Sequence, residues 1–350
     1  RSAAVPSLGQ LDAPTPSAPS RPFPTSTPAT SHWSKNGLTA NLKAFPAVQI
    51  LVQRRLTWFL DEASWQACSA LNQACSLHYL SRYGLRPLAH GLPDYLEGCE
   101  GASARRRRRV WRRLCLGAMD LGDREYYRAL AAKPSPADAE IRRDIGRTFP
   151  EKLDEEAQEA LFRVLRAVSH RLEDVGYCQG MNFVAGVFLR IFSPEDEALV
   201  FQCVVALMLR HGMNQYFGDR FPKLRLTSLQ FDILVEAFFP NTLAPTFDHF
   251  NLSAEFYATQ WFLTLFCYSL PFGHVVKIWD HFLCWGMKFI HRVGLALLQD
   301  GEADLIDRPF DATLRQLRFL GDRTKMTPDE LVKSALEFKV TCTLLSDLEH

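Results

Sequence analysis

Two short segments of the chain place residue types that can do chemistry at close spacing. The first is Ile141-Arg142-Arg143-Asp144-Ile145-Gly146-Arg147-Thr148-Phe149-Pro150, and the second is Gly176-Tyr177-Cys178-Gln179-Gly180-Met181-Asn182. In the first, Asp144 precedes Arg147 by three residues, which brings carboxylate and guanidinium onto one helical face. A lone arginine of this kind is usually a surface ion-pair residue, and Asp144 could serve Arg143 as well as Arg147. In the second, Gly-x-Cys-x-Gly has the form of a nucleophile elbow with a thiol in place of the hydroxyl. That elbow requires a strand before it and a helix after it. A polar, amphipathic helical pattern precedes it here, so Cys178 reads as a semi-buried packing residue rather than the nucleophile of a cysteine hydrolase. The chain contains no G-x-x-x-x-G-K-[ST] and so does not itself cradle a nucleotide in a phosphate loop. It also lacks H-E-x-x-H, G-x-S-x-G and a strand-borne G-x-G-x-x-G. None of the ten histidines stands at a metal-ligand spacing. The nine cysteines are scattered without a Cys-x-x-Cys pair, so neither a zinc site nor a disulfide framework is expected, and a reducing cytosol is the natural compartment.

A third segment is notable for charge. Arg105, Arg106, Arg107, Arg108 and Arg109, with Arg112 and Arg113, place seven arginines within nine residues. The ordinary explanation is a solvated face or a flexible insertion. A contact with anionic lipid or with an acidic protein surface is the functional alternative, and a nuclear-localisation run is a third. The formal net charge of the whole chain is only +1, so nucleic acid is not an expected partner.

The elements that would position these residues are helical. Asp154 suits an N-cap, with Glu155 and Glu156 in the first turn where negative charge favours the helix dipole. Leu161, Leu165, Val168 and Leu172 then recur at helical spacing, and Gly176 stands where such a helix would end. Ser253 is placed to cap a helix running to Leu270 and stopped by Pro271. Pro309 to Leu320 reads as a helix ending at Gly321. Thr327-Pro328-Asp329-Glu330 combines an N-cap, proline at the first helical position and glutamate at the third. Alternating strand patterns are missing, which predicts an all-α fold. The apolar runs Val200–Leu209 and Trp261–Leu270 are too short to span a membrane and read as core helices, and Trp261 and Trp279 as core residues.

The first 46 residues hold eight of the twenty prolines, interspersed with Ser, Thr and Ala. Such composition buries too little apolar surface to offset its ordering entropy, which predicts a disordered tail over 1–46. Its poverty in acidic residues is shared by transit peptides, but it has few arginines and no amphipathic pattern. Residues 47–83 are expected to form a helical extension, and 84–345 the main domain.

The two chemical segments resemble the IxxDxxRT and YxQGM signatures of TBC-domain Rab GTPase-activating proteins. About thirty residues, filled by one helix, separate them, as in that family. Gly91-Leu92-Pro93 and Val110-Trp111 resemble the family's opening, split here by Glu97–Arg108 as if by an insertion and with Leu92 where Ile or Val is usual. Trp261-Phe262-Leu263-Thr264-Leu265-Phe266 resembles its WFLTLF segment. Ile278-Trp279-Asp280-His281-Phe282-Leu283, followed by Gly286 and Lys288-Phe289, resembles its IWDxFLxxGxKF segment.

The resemblance implies a two-lobed all-α domain that docks a Rab-family GTPase in its GTP state and accelerates hydrolysis, in the service of vesicle trafficking. Arg147 would be an arginine finger and Gln179 a glutamine finger. Asp144 would orient the guanidinium, while Tyr177, Gly180 and Met181 shape the glutamine turn and Thr148 and Asn182 complete the two signatures. GTP and Mg²⁺ would belong to the partner, with no cofactor of this chain's own. The rival expectation is a scaffold of the same fold that binds a Rab or a membrane without speeding hydrolysis. A monomer is expected, in the cytoplasm and, through the arginine run, at the surface of endomembranes.

Overall fold

The computed structural model describes residues 102–117, 121–218 and 221–348. The expected tail over 1–46, the extension over 47–83 and the Gly91-Leu92-Pro93 motif lie outside the described residues. No strand occurs among the described residues, and the all-α expectation holds.

We number the α-helices in chain order. Those that matter for function are α1 (Ala102–Leu116), α2 (Arg124–Ala132), α3 (Asp138–Ile145), α4 (Glu155–Arg171), α5 (Met181–Phe192) and α6 (Glu197–Arg210). They are followed by α7 (Asn214–Phe217), α8 (Pro222–Phe238), α9 (Leu243–His249), α10 (Thr259–Thr264), α11 (Phe272–Trp285) and α12 (Met287–Asp300). Shorter helices, α13 (Glu302–Leu305), α14 (Phe310–Arg318) and α15 (Leu320–Arg323), lead to α16 (Pro328–Glu337) and α17 (Cys342–Asp347).

Local chemistry explains most of the helix starts. The Asp154 carboxylate accepts from the Ala157 backbone N–H and caps α4. Thr327 and Glu330 form a reciprocal capping box at α16, with Pro328 at its first position. Three expected boundaries move. Helix α4 ends at Arg171, before Gly176, because the chain turns at buried Leu172, whose carbonyl accepts the N–H groups of Val175 and Gly176. Ser253 caps only a single 3₁₀ turn, Ala254–Phe256. The expected long helix is broken where Leu265 and Phe266 take positive φ values of 49° and 65°. There the burial of large apolar side chains prevails over local preference. Gly321 sits inside α15 rather than terminating α14. A Cβ at that position would lie 2.1 Å from the Ser269 carbonyl oxygen, so the glycine serves close packing.

Helix packing sorts into two groups. In the N-terminal group α4 is central and contacts α2, α3, α5 and α6; in the C-terminal group α12 contacts α11 and α16. The groups meet where α1 packs on α11 and where α10 packs on α5. An aromatic cluster fills the first junction. Trp111 of α1 stacks on Trp279 of α11 at 5.7 Å, and Phe188 of α5 meets both edge-on. Trp261 and Trp279 are buried, as expected. Helix α6 is apolar on nearly every side and buried from Val200 to Met208 apart from Gln202.

Candidate active site

The Arg147 segment follows directly from the end of α3. Gly146 caps the helix, and Arg147 and Thr148 continue the turn through backbone hydrogen bonds to the carbonyls of Asp144 and Ile145. Asp144 is buried and its two carboxylate oxygens are divided between two partners. Oδ1 accepts from Arg147 Nη2 at 2.6 Å, and Oδ2 accepts from the Tyr177 hydroxyl at 2.7 Å. The Arg147 side chain is 43% exposed and that of Asp144 6%, so the pair anchors one terminal nitrogen of the guanidinium while the side chain stays half-exposed. Arg147 is the partner of Asp144; Arg143 carries no bond to it among the described residues.

The Gln179 segment is a glycine-bracketed turn between α4 and α5. Gly176 has φ +66° and Gly180 φ +112°, a region that L side chains rarely adopt. A Cβ on Gly180 would stand 3.3 Å from the Phe217 ring and 3.7 Å from the Thr264 methyl, so the turn sits against the C-terminal group. Gln179 is half-buried and Met181 fully buried.

A chain of hydrogen bonds joins the two segments. Thr148 Oγ1 donates to the Asp144 carbonyl at 2.7 Å, Asn182 Nδ2 donates to Thr148 Oγ1 at 2.7 Å, and the Gly180 N–H donates to Asn182 Oδ1 at 2.9 Å. Thr148 and Asn182 are both fully buried. Buried polar groups that are all satisfied hold a unique geometry. Here they couple the backbone that carries Arg147 to the turn that carries Gln179. Helix α5 can lie this close because position 186 is glycine: a Cβ there would come within 3.0 Å of the Phe149 ring and 3.2 Å of the Thr148 methyl.

Burial, then the neighbouring Asp144 carboxylate, pushes the Tyr177 hydroxyl far above its ordinary range, so it remains a donor. Burial likewise raises the Cys178 thiol to about 11, with the carboxylates of Glu140 and Asp144 adding to it. That is a thiol rather than a thiolate at neutral pH, and the element before it is helix α4, not a strand. Neither condition of a cysteine nucleophile is met.

An aromatic flank borders the site. Phe149, which follows Thr148, meets Phe183 edge-on at 5.7 Å, and Phe183 meets Tyr268 edge-on at 5.2 Å. Tyr268 is 59% exposed, the one residue of the expected core run Trp261–Leu270 to face outward. Arg190 lies 3.3 Å from the Phe272 ring centroid, completing the cluster.

The arginine run is divided. Arg105, Arg106, Arg108 and Arg109 are exposed, but Arg107 turns inward. Its Nε and Nη2 both bond the Asp280 carboxylate, each at 3.0 Å at closest, and the Trp111 indole N–H donates to Asp280 Oδ1 at 2.7 Å. The side chains of Arg107 and Asp280 are 14% and 2% exposed. Residues 102–108 form the first turns of α1, and Arg107 leaves the set expected to face an anionic surface. Sequence reasoning missed Arg107, Trp111 and Asp280 as a unit. The available signal was register: 107, 110, 111 and 114 form one helical stripe, so Arg107 shares a face with Val110, Trp111 and Leu114.

Comparison with known proteins bears on this geometry. The family model for the Rab-GTPase-TBC domain matches residues 105–306. The human ecotropic viral integration site 5 protein homolog is 33% identical over 247 residues, which is 69% of this chain and 30% of that protein. The Caenorhabditis elegans Rab GTPase-activating protein tbc-11 is 32% identical over 272 residues, 74% of this chain and 28% of that protein. The chain thus spans about 30% of the length of these relatives. Among solved structures, the Chlamydomonas flagellar RabGAP TBC domain superposes with a TM-score of 0.60 at 23% identity, covering 78% of this chain and 94% of that one. The Ypt/Rab-GAP domain of Gyp1p does so with a TM-score of 0.55 at 18% identity, covering 82% and 95%. These two likenesses show the fold, and with the family match over more than half its length, the chain belongs to the Rab-GTPase-TBC domain family.

Proposed function

We propose that this chain accelerates GTP hydrolysis by a Rab-family GTPase in its GTP state, with Arg147 and Gln179 entering the partner's active site. The observation that carries this reading is the Asp144 clamp. One buried carboxylate holds the half-exposed Arg147 and the hydroxyl of Tyr177, and the Thr148–Asn182 chain fixes the turn that presents Gln179.

The physical logic is transition-state electrostatics. Phosphoryl transfer spreads negative charge over the equatorial and bridging oxygens, and an arginine supplied from outside is worth roughly 10³–10⁵ in rate. The planar, permanently charged guanidinium suits that task better than an ammonium. Pre-orientation by Asp144 reduces the entropy lost when Arg147 docks. Gln179, held on a rigid turn, aligns the attacking water. The aromatic flank of Phe149, Phe183 and Tyr268 offers an apolar surface for the partner beside the two fingers. Nucleotide and Mg²⁺ belong to the GTPase in this scheme.

The test is single-turnover GTP hydrolysis over a panel of Rab proteins, with the wild-type chain beside Arg147→Ala and Gln179→Ala. Acceleration of one or more Rabs that disappears with Arg147→Ala is the expected result. A Rab whose own switch glutamine is replaced should still respond, because Gln179 acts in trans. If Rabs bind but none is accelerated, the chain is a scaffold and the finger assignment fails.

A further inference from the structure

Helix α1 carries two stripes of identical periodicity. Residues 107, 110, 111, 114 and 115 face inward: Val110, Trp111, Leu114 and Cys115 are buried, and Arg107 is locked to Asp280. Residues 105, 108, 109, 112 and 113 follow the same i, i+3, i+4, i+7, i+8 spacing on the opposite face. All five are arginine and all five are exposed. Arg106 is exposed beside them. The helix contains no acidic residue. Among the described residues, none of the five pairs with a carboxylate.

The rotation of the helix is what makes this a surface rather than a charge run. The Arg107 and Trp111 bonds to Asp280 fix α1 about its axis, and the Trp111–Trp279 stack fixes it against α11. Arg210 donates to the Cys115 carbonyl at 2.6 Å and holds the C-terminal end of α1. The five guanidinium groups are thereby presented together along about 12 Å of helix, with no carboxylate paired to any of them among the described residues.

We infer that the outer face of α1 is an electrostatic docking surface for an anionic lipid bilayer. Two features favour a membrane over other polyanions. The face is a stripe along one helix, which can lie flat on a planar array of charged headgroups. The charge is local in a chain of net +1, whereas a nucleic-acid binder distributes basic charge over its domain. The stripe carries no apolar side chain, so binding is interfacial, reversible and salt-sensitive. The inference does not depend on Rab-GTPase activation; it concerns where the chain is held.

The experiment is vesicle co-sedimentation of the full chain. Vesicles of phosphatidylcholine with phosphatidylserine are compared with phosphatidylcholine alone, at low and raised salt. Wild type should bind the anionic vesicles, ignore the neutral ones and release as salt rises. The variant R105Q/R108Q/R109Q/R112Q/R113Q keeps the inward stripe and Arg107, and should lose more than about tenfold in partitioning, since each arginine near an anionic leaflet contributes about fivefold. The all-lysine counterpart, which preserves charge, should retain binding, and it decides the matter if the glutamine variant melts early. Equal binding to both vesicle types, or undiminished binding by the glutamine variant, overturns the proposal. Tighter arginine-dependent binding to a DNA duplex than to vesicles assigns the face to nucleic acid instead and overturns it too.

Discussion

Two triads of the same kind occur among the described residues, and they behave differently. In each, an aspartate takes an arginine on one side and an aromatic donor on the other: Arg147–Asp144–Tyr177 and Arg107–Asp280–Trp111. The first pair is three residues apart on one turn, engages Arg147 through Nη2 alone and leaves that side chain 43% exposed. The second bridges 173 residues, engages both Nε and Nη2, and is all but sealed from water. Burial raises the Asp280 carboxyl above its ordinary range in spite of the Arg107 guanidinium, the mark of an ion pair whose desolvation outweighs its Coulombic gain. The contrast teaches that valence and burial, not residue type, decide whether an arginine holds the chain together or stays half-exposed at the surface.

The comparison breaks first, and most visibly, at the two arginine pairs. Arg147→Ala should lower activated GTP hydrolysis by about 10³-fold or more while shifting unfolding free energy less than Asp280→Ala does, because Asp144 keeps its Tyr177 bond and the vacated site opens to water. Asp280→Ala should do the reverse. It strands a buried guanidinium and an indole N–H, and should cost about 3–5 kcal/mol in urea unfolding. If Asp280→Ala melts like wild type, or if Arg147→Ala destabilises as much as Asp280→Ala, the two triads are not functionally distinct.

A second contrast lies in pH. His211, packed on Phe282 two residues beyond Asp280, and His291 of α12 are held to about 4, chiefly by burial, well below an ordinary histidine. The unfolded chain therefore binds protons that the folded chain refuses between roughly pH 6.5 and pH 4. Stability is fully present above that window and falls as pH drops through it, by about 2 kcal/mol per histidine at pH 5. Urea midpoints at pH 7 and pH 5 measure this, and His211→Asn should remove part of the slope. Equal midpoints at the two values would show that these rings are accessible to protons in the folded state.

The smallest effects sharpen the comparison most finely. Tyr177→Phe removes one donor from Asp144 and Trp111→Phe removes one from Asp280, each worth about 1–2 kcal/mol. For Tyr177 the loss should show mainly as a roughly tenfold slower turnover, because the freed carboxylate no longer holds Arg147 in one orientation. For Trp111 it should show in stability, with turnover by the remaining folded protein unchanged. The same readout for both variants would argue against a positioning role for Tyr177.

Much of the candidate site was legible because its residues are local. Asp144 and Arg147 share a turn, Gly176 and Gly180 bracket another, and Asp154 and Thr327 cap helices through atoms a few residues away. What was not legible depended on long-range contact. The run Trp261–Leu270 was expected to be one helix, and its break at Leu265 arises from core packing that no local pattern encodes. The inward turn of Arg107 was hidden among six like neighbours, since charge count carries no information about which arginine a distant aspartate selects.

By itself, then, the sequence determined the helical class and the family signatures, and marked Arg147 and Gln179 as candidates, because propensity, capping and motif spacing act over a few residues. Only the tertiary structure decided that Asp144 serves both Arg147 and Tyr177, that Thr148 and Asn182 couple the two segments, and that Asp280 rotates α1 so that five arginines face outward. Each of these requires groups 33 to 173 residues apart to meet within hydrogen-bond distance, and that meeting is a property of the packed core rather than of any segment.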